Sequence, residues 1–244
     1  MDSGYYAACA GLLARTQALD LVANNLANVN TTGYRGQEPT FRSLVSSLTG
    51  GPMAELNRAV NDFNVIGGSR LDFSAGNLER TGNPLDLALE GSGFFAVDTP
   101  AGVRYTRNGN FQLSPQGVLV TAQGDSVLGQ QGKITVPAGP VSVSADGTLS
   151  SRGVVFGKLR VVDFPSSAGL FPIGQSYYAA EGTSAHAATD ANVRQGMLES
   201  SNVSPVTGMM NLIAVQRHAE MLQRAMSMFH SELNRIAAND LAKI

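Results

Sequence analysis

Residues 204–236 read SPVTGMMNLIAVQRHAEMLQRAMSMFHSELNRI. Apolar residues recur in this stretch at alternating spacings of three and four: Leu212, Val215, Ala219, Leu222, Met226, Phe229, Leu233 and Ile236. A helix places such residues on one face, and the alternation is typical of a coiled-coil seam. Ser204 followed by Pro205 is a typical helix start, because the hydroxyl caps the first turn and proline fits its first position. The pattern predicts one long C-terminal helix.

The N-terminal residues carry the same pattern with one polar interruption. Its positions are Tyr5, Ala8, Leu12, Arg15, Leu19, Val22, Leu26 and Val29. Asp2 or Ser3 is suited to cap this helix, and Thr32-Gly33 is suited to end it. We therefore expect a second long helix at the N-terminus.

These two apolar stripes allow two interpretations. Each helix can pack its stripe on the protein's own core, which is the commoner role of an amphipathic helix. Alternatively, the stripes form coiled-coil seams with other helices. We favour the seam because the C-terminal stripe stays narrow over more than three heptads. The prediction is a helical assembly domain built from residues 1–35 and 200–244.

The middle of the chain changes to a period of two, which is typical of strands. Every second residue from Leu85 to Leu89 is a leucine, and Asp86, Ala88 and Glu90 stand at the positions between and after them. The turn residues Gly-Ser-Gly then precede the apolar run 94–97. Further short apolar runs follow at Tyr105, 111–113, 118–120, 127–128, 134–136, 141–143 and 154–164. Three turn signals separate them: Asn108-Gly109 and Asp146-Gly147 suggest hairpins, and residues 114–117 suit another tight turn.

The predicted fold class is α+β. Long terminal helices form a discontinuous coiled-coil domain, and residues 81–199 form a central all-β domain, of barrel or sandwich type, with the return linker. Residues 36–80, rich in Gly, Asn and Ser, are predicted to be a semi-ordered connector.

Composition disfavours several classes of function. The 244 residues carry a net charge of -2, only 15% are charged, and no run of Lys or Arg suits a phosphate backbone or an anionic lipid surface. We expect no nucleic-acid partner and no direct membrane insertion. Cys9 is the single cysteine, so no internal disulfide is expected. Asp2 stands where a secretory signal would carry Lys or Arg, so no cleaved signal peptide is expected.

The search for catalytic chemistry is negative. The three histidines, His186, His218 and His230, lack a metal-ligand spacing. Asp86 and Glu90 resemble a carboxylate pair but read better as solvated outward positions of a strand. We predict no catalytic, metal or cofactor-binding residues, no cofactor, and no enzymatic activity.

Five segments resemble the flagellar rod and hook family. They read ANNLANVNTTGYR (23–35), GNPLDLAL (82–89), YTRNGNF (105–111), VRQGMLESSNVSPV (193–206) and NLIAVQR (211–217). Residues 157–164, the Met1-Asp2 start and the modest length are more similar to proximal-rod than to distal-rod members. One departure is His218-Ala219, where many members carry an aromatic residue.

The resemblance implies a structural subunit of the bacterial flagellar basal-body rod. Such subunits are exported unfolded through the flagellar type III apparatus without a cleaved signal. They polymerise helically, with copies of themselves and other rod subunits, into a drive shaft that crosses the periplasm. Two alternatives remain. An extracellular β-rich binding module would favour exposed aromatic residues, but the chain has no Trp and only 7% aromatic residues. A secreted hydrolase would need a convergent polar site.

The stripes and the resemblance together predict an assembly interface. Its residues are Leu12, Leu19, Val22, Asn24, Asn25, Leu26, Asn28, Val29, Leu212, Val215, Ala219, Leu222, Met226, Phe229, Leu233 and Ile236. The three asparagines lie beside the seam, where their amides are predicted to bridge to adjacent backbones and fix the register. Ordinary polarity at a helix end is the alternative explanation for them.

Overall fold

The computed structural model describes residues 2–42, 65–164, 169–174, 176–181 and 185–241. Within these ranges, side chains are described except at residues 2–8, 41–42, 65–68, 229, 232–234 and 236–241. The chain divides into two compact units. The first comprises Met1–Ala27, Gln37–Arg70 and Ser204–Ile244, and the second comprises Asn28–Gly36 and Leu71–Val203.

The first unit contains the two terminal helices. Its elements are α1 (Asp2–Ala27), α2 (Pro205–Leu241), β1 (Gln37–Arg42) and β2 (Val65–Leu71), whose last residue belongs to the second unit. Helix α1 packs along α2 and against β1, and β1 pairs with β2. The predicted start of α2 is confirmed: the Thr207 amide donates to Ser204 Oγ at 3.4 Å, and Pro205 is the first helical residue.

The N-terminal helix ends at Ala27, before the predicted Thr32-Gly33 stop. A turn follows, in which the Thr31 amide donates to the Asn28 carbonyl at 3.0 Å. Gly33 has a φ of 66°, and a Cβ there would lie 2.3 Å from the Asn108 amide nitrogen. The glycine therefore permits a close approach between backbones within the second unit.

The second unit is built from short strands. They are β3 (Leu78–Arg80), β4 (Leu87–Glu90), β5 (Phe94–Thr99), β6 (Gly102–Thr106), β7 (Phe111–Leu113), β8 (Leu119–Thr121), β9 (Ser126–Gly129), β10 (Gly132–Lys133), β11 (Val141–Val143), β12 (Thr148–Ser151), β13 (Val154–Lys158), β14 (Val161–Asp163), β15 (Leu170–Gly174), β16 (Tyr177–Ala180), β17 (His186–Ala187), β18 (Asn192–Gln195) and β19 (Met197–Glu199). Two terminal helices with a β-rich centre confirm the predicted α+β class. Strands β1 to β3 lie in the segment predicted as a connector.

The largest sheet runs in the order β15-β16-β6-β5-β9-β8-β7, with β14 also on β5, β17 on β14 and β10 on β9. Strands β11, β12 and β13 form a three-stranded sheet. Strand β18 pairs with β4, and β19 pairs with β3. The registers of these pairs are antiparallel. Through β18 and β19, the segment that leads to α2 is held by hydrogen bonds to strands from the middle of the chain.

Two hydrophobic clusters form the core of the second unit. The larger one contains Leu87, Leu89, Phe95 and Phe111, and the two phenylalanine rings meet edge to face at 5.2 Å. The smaller one places Phe94 against Tyr178, Phe164 and Leu170. Each fully buried side chain of this size stabilises the fold by about 1.5–3 kcal/mol.

The turn predictions have mixed outcomes. Residues 114–117 form the predicted turn, with the Gly117 amide donating to the Ser114 carbonyl at 2.8 Å, and residues 144–147 connect β11 to β12. The hairpin predicted at Asn108-Gly109 is wrong, because β6 pairs with β5 and β16 while β7 pairs with β8. A Cβ at Gly109 would lie 1.5 Å from the Leu87 carbonyl oxygen, so this glycine serves a close backbone approach.

Three strand details also differ from the sequence prediction. Asp86, predicted to be solvated, is buried and accepts hydrogen bonds from the Asn83 and Asn110 amides at 3.0 and 3.3 Å. The run 154–164 is divided into β13 and β14. Residues 134–136 contribute only an isolated bridge, through Thr135.

Candidate functional site

The face of α2 that meets α1 coincides with the predicted stripe. Leu212, Val215, Leu222 and Met226 are half-buried, and Ala219 is buried. Phe229, Leu233 and Ile236 continue the stripe along α2, but their side chains lie outside the described residues. At the start of α2, a Cβ on Gly208 would lie 3.5 Å from Leu26 Cδ1 of α1.

The most buried face of α1 consists of small residues. Gly11, Ala14, Ala18 and Val22 are buried. The predicted positions Leu12, Leu19 and Leu26 are half-buried and lie, at 100° per residue, about 95° around the helix from the centre of that face. Hydropathy patterns give most weight to large apolar residues, so the sequence pattern selected the leucines. The closest approach of two helix backbones instead requires small residues.

The predicted asparagines have different environments. Asn25 Nδ2 donates to the Gln37 carbonyl at 2.8 Å, and the Gln37 amide donates to Asn25 Oδ1 at 2.9 Å, so this side chain ties α1 to β1 within the first unit. Asn24 is exposed near the end of α1. Asn28 and Val29 follow α1 and are half-buried, and Asn28 Oδ1 accepts a hydrogen bond from the Thr31 hydroxyl at 3.1 Å.

A second apolar stripe, which the apolar spacing did not predict, runs along the opposite side of α2. It consists of Val206, Met210, Ile213, Met221 and Met228, each more than half exposed. At 100° per residue, this outer stripe lies about 170° from the stripe that meets α1. Arg217 and Arg224 interrupt it in sequence, which weakens its hydropathy signal. Helix α2 thus has two apolar faces.

The second unit contains a buried ionic cluster formed by Arg35, Arg107 and Glu199. Arg35 Nη2 lies 2.6 Å from Glu199 Oε1, and Arg107 Nη1 lies 3.3 Å from Glu199 Oε2. None of the three side chains is more than 5% exposed. They come from three of the segments on which the family resemblance rests, residues 23–35, 105–111 and 193–206.

Each guanidinium also has neutral partners. Arg107 donates to the carbonyls of Leu89 and Gly91 at 3.2 and 2.7 Å and lies over the Phe94 ring, 5.3 Å from its centre. Arg35 donates to the Ser74 carbonyl. Burial lowers the pKa of Arg107 to about 10, partly opposed by the charge of Glu199, so Arg107 remains cationic at neutral pH.

Backbone hydrogen bonds hold the same segments together. The Gly76 amide donates to Glu199 Oε1 at 2.9 Å, and the Gly33 amide donates to the Glu199 carbonyl at 2.7 Å. The Gly36 amide donates to Asn202 Oδ1 at 2.7 Å, and the Arg35 amide donates to the Tyr178 hydroxyl at 3.1 Å. These hydrogen bonds join four parts of the chain around the cluster: residues 33–36, 76, 178 and 199–202.

The sequence offered only a weak signal for this cluster. Arg35, Arg107 and Glu199 each stand within a motif, but a motif does not reveal which distant residue it meets. Pairing them required the β19–β3 ladder and the course of the chain through residues 28–36.

The described residues contain no group of three or more His, Cys, Asp or Glu side chains placed to hold a metal ion. The three histidines are exposed and lie on β17 and α2. Among the described helices, none combines the length and apolar character needed to cross a membrane.

Comparisons with known proteins agree with these motifs. Residues 6–35 match the family model described as flagella basal body rod protein, 88–151 match the flagellar hook protein FlgE/F/G D1 domain, and 194–239 match the flagellar basal body rod FlgEFG protein C-terminal model. The chain is 35% identical to the flagellar basal-body rod protein FlgF of Caulobacter vibrioides, and the alignment covers 100% of both.

Two further relatives give similar values. FlgF of Salmonella typhimurium is 32% identical, over 93% of this chain and 94% of the relative. The flagellar basal-body rod protein FlgG of Bacillus subtilis is 34% identical, over 87% of this chain and 89% of the relative. Because its motifs, its matched domains and a relative aligned along its whole length all agree, the chain belongs to the flagellar basal-body rod protein family.

Proposed function

We propose that this chain is a structural subunit of the flagellar basal-body rod, and that it polymerises helically through its terminal helices as part of the periplasmic drive shaft. The names of the relatives support a rod position, and FlgF relatives aligned over nearly the full length favour a proximal-rod role. A distal-rod role of the FlgG type is the second candidate, supported by the 34% identity to the Bacillus subtilis protein. Membership of a rod protein family agrees with a structural rather than an enzymatic role.

The observation that carries this proposal is the two-faced character of α2. One apolar face is covered by α1, while the outer stripe around Met210, Ile213 and Met221 is exposed. Exposed apolar side chains aligned in this way on a folded chain mark an interaction site, although Arg217 and Arg224 divide the stripe. Each of its side chains would contribute about 1.5–3 kcal/mol if another subunit covered it. The occupant we propose is a terminal helix of a neighbouring rod subunit.

The seam between α1 and α2 fits the same proposal. Leu212, Val215, Ala219, Leu222 and Met226 keep the alternating spacing of a heptad. We propose a discontinuous coiled-coil assembly domain from residues 1–35 and 200–244, a connector at 36–80, and a barrel-like or sandwich-like β domain at 81–199. Such close-packed interiors deform little, which suits the transmission of torque.

Export and position complete the proposal. We propose that the chain passes unfolded through the flagellar type III export apparatus and assembles in the periplasmic part of the basal body. Its partners would be copies of itself and other rod subunits. Membership of the family supports this route, and the absence of nucleic-acid partners and of membrane insertion remains part of the prediction.

Three successive residues of α2 provide a sharp test. Met221 lies on the outer stripe, Leu222 faces α1, and Gln223 is exposed outside the outer stripe. Met221→Glu should leave the monomer's circular dichroism unchanged but abolish motility in a strain that lacks its own copy of the gene, because it places a charge in the proposed interface.

The neighbouring substitutions act as comparisons. Leu222→Asp should also abolish assembly while the second unit stays folded, since a carboxylate in the seam costs several kcal/mol. Gln223→Glu adds the same charge as Met221→Glu and should leave motility and rods in electron micrographs unchanged. Normal rods with Met221→Glu would count against the outer stripe, and normal rods with both Met221→Glu and Leu222→Asp would refute assembly through the helices.

A further inference from the structure

Within the second unit, the buried ionic cluster connects the segment that enters the unit with the segment that leaves it. Residues 28–36 lead into this unit, and residues 199–203 lead out of it. Arg35 belongs to the first of these segments and Glu199 to the second, while Arg107 follows β6 in the middle of the chain. One carboxylate thus joins the entering segment, the leaving segment and the β-rich centre.

The charges make Glu199 the essential member of this junction. A buried carboxylate without a partner is strongly destabilised, and so is a buried guanidinium. Glu199 Oε1 accepts from the Gly76 amide and lies 2.6 Å from Arg35 Nη2, and Glu199 Oε2 accepts from Arg107. Removal of Glu199 leaves two buried guanidiniums without an anion, whereas removal of either arginine leaves one cation and one anion.

Further hydrogen bonds to backbone groups surround the carboxylate. Gly33 donates to the Glu199 carbonyl, and Gly36 donates to the Asn202 side chain, which in turn donates to the Ser74 carbonyl at 3.1 Å. The side chain of Arg35 reaches the Ser74 carbonyl as well. These bonds link residues 33–36 and 199–202 through residues 72–76.

We propose that Arg35, Arg107 and Glu199 form a closing clamp centred on the Glu199 carboxylate, which fixes both chain-end segments to the second unit. The clamp holds residues 28–36, which follow α1, and residues 199–203, which precede α2. Its role in assembly rests on the proposed function: the clamp keeps ordered the two segments that adjoin the assembling helices in the sequence. The three residues are positioning residues, since none of them lies on an apolar stripe.

The test is hydrogen exchange on the full-length monomer with Glu199→Gln, which keeps the side chain's size and removes its charge. The amides of Gly33, Gly36 and Gly76 should exchange about tenfold faster or more, because the clamp opens locally. Amides of β8 and β9, far from the cluster in the strand order, should change less than about twofold. Arg35→Lys, which keeps the charge but not the forked donor geometry, should give a smaller increase at the same amides.

Glu90→Gln is the matched control. Glu90 pairs with Arg194 at 2.6 Å in the same unit, but both side chains are half exposed, so the same chemical change should leave exchange at Gly33 and Gly76 unaltered.

Three outcomes would overturn the clamp. Unchanged exchange at Gly33, Gly36 and Gly76 in both Glu199→Gln and Arg35→Lys would show that the cluster does not hold these segments. An equal increase in exchange rate throughout the second unit of Glu199→Gln would show general destabilisation. Local opening together with normal motility would remove the clamp's role in assembly. The exchange measurements need no rod, so they decide the clamp even if the Met221→Glu test refutes assembly through α2.

Discussion

Arg35 Nη2 lies 2.6 Å from Glu199 Oε1, in an ion pair whose side chains are only 2% and 1% exposed. The residue that closes the N-terminal motif is therefore paired with a residue that precedes the C-terminal helix. Arg107 joins the pair at 3.3 Å, which brings two positive charges and one negative charge together in the interior. A buried group of this composition is sensitive to which of its charges is removed.

Glu199→Gln should lower the free energy of local opening at Gly33, Gly36 and Gly76 by about 1.4 kcal/mol or more, because it leaves two guanidiniums without an anion. Arg107→Met should cost less at the same amides, since one cation and one anion remain and the loss comes mainly from the Leu89 and Gly91 carbonyls that lose a donor. Hydrogen exchange at these amides measures both. A larger loss for Arg107→Met would contradict the charge argument.

Gly109→Ala should destabilise the second unit by more than about 3 kcal/mol, because the new Cβ would lie 1.5 Å from the Leu87 carbonyl oxygen and the backbone must move. Gly157→Ala is the control: its Cβ would meet only side-chain carbons at 3.9 Å. That change should alter the free energy of unfolding by less than about 1 kcal/mol. If the two variants unfold at the same urea concentration, the close approach at Gly109 is not a constraint on the fold.

Acid stability should depend partly on Asp146. Hydrogen bonds from Lys158 and then Thr148 hold its pKa at about 2, below the ordinary value of 3.8. Since the folded pKa is depressed, the carboxylate stabilises the fold above pH 3.8, and this contribution disappears as the pH falls through about 2. NMR titration of the Asp146 carboxyl in Lys158→Met should show its pKa shifted upwards.

Lys133→Met is the control for this titration, because it removes a different exposed ion pair, the one between Lys133 and Asp98 at 3.2 Å. The Asp146 titration should be unaffected there. An Asp146 pKa that stays near 2 in Lys158→Met would show that Lys158 is not the main cause.

Asn25→Asp should loosen the junction between α1 and β1. The aspartate can still accept from the Gln37 amide but can no longer donate to the Gln37 carbonyl, so one of two hydrogen bonds is lost. We expect a cost of about 1–2 kcal/mol to the first unit. Helix unfolding followed by circular dichroism measures it. Gln17→Glu, an exposed amide-to-carboxylate change on the same helix, should cost less than about 0.5 kcal/mol.

Local chemistry was sufficient for several elements. Ser204-Pro205 predicted the start of α2 because a cap and an N-terminal proline act within one turn. Residues 114–117 predicted a turn for the same reason, since the positive φ of Gly117 is a property of that residue and its neighbours. The apolar spacing of α2 also identified positions that are half-buried or buried in the structure, because a helix converts sequence spacing directly into direction.

Other features depended on contacts between distant segments. Asn108-Gly109 is a typical hairpin dipeptide, yet the structure needs glycine at 109 because a side chain there would clash with the Leu87 carbonyl. Asp86 is of a residue type that is usually solvated, yet it is buried against Asn83 and Asn110. In each case a residue that the fold brings close, Leu87 beside Gly109 and Asn110 beside Asp86, overrides the local preference.

The sequence by itself determined the two terminal helices, the β-rich centre and the family, because spacing, caps and motifs are carried by contiguous residues. Only the tertiary structure decided that Arg35, Arg107 and Glu199 meet, that small residues line the buried face of α1, and that α2 keeps a second apolar face exposed. These features depend on which surfaces the fold brings together. A charged residue in a motif shows its partner only when the chain has folded around it.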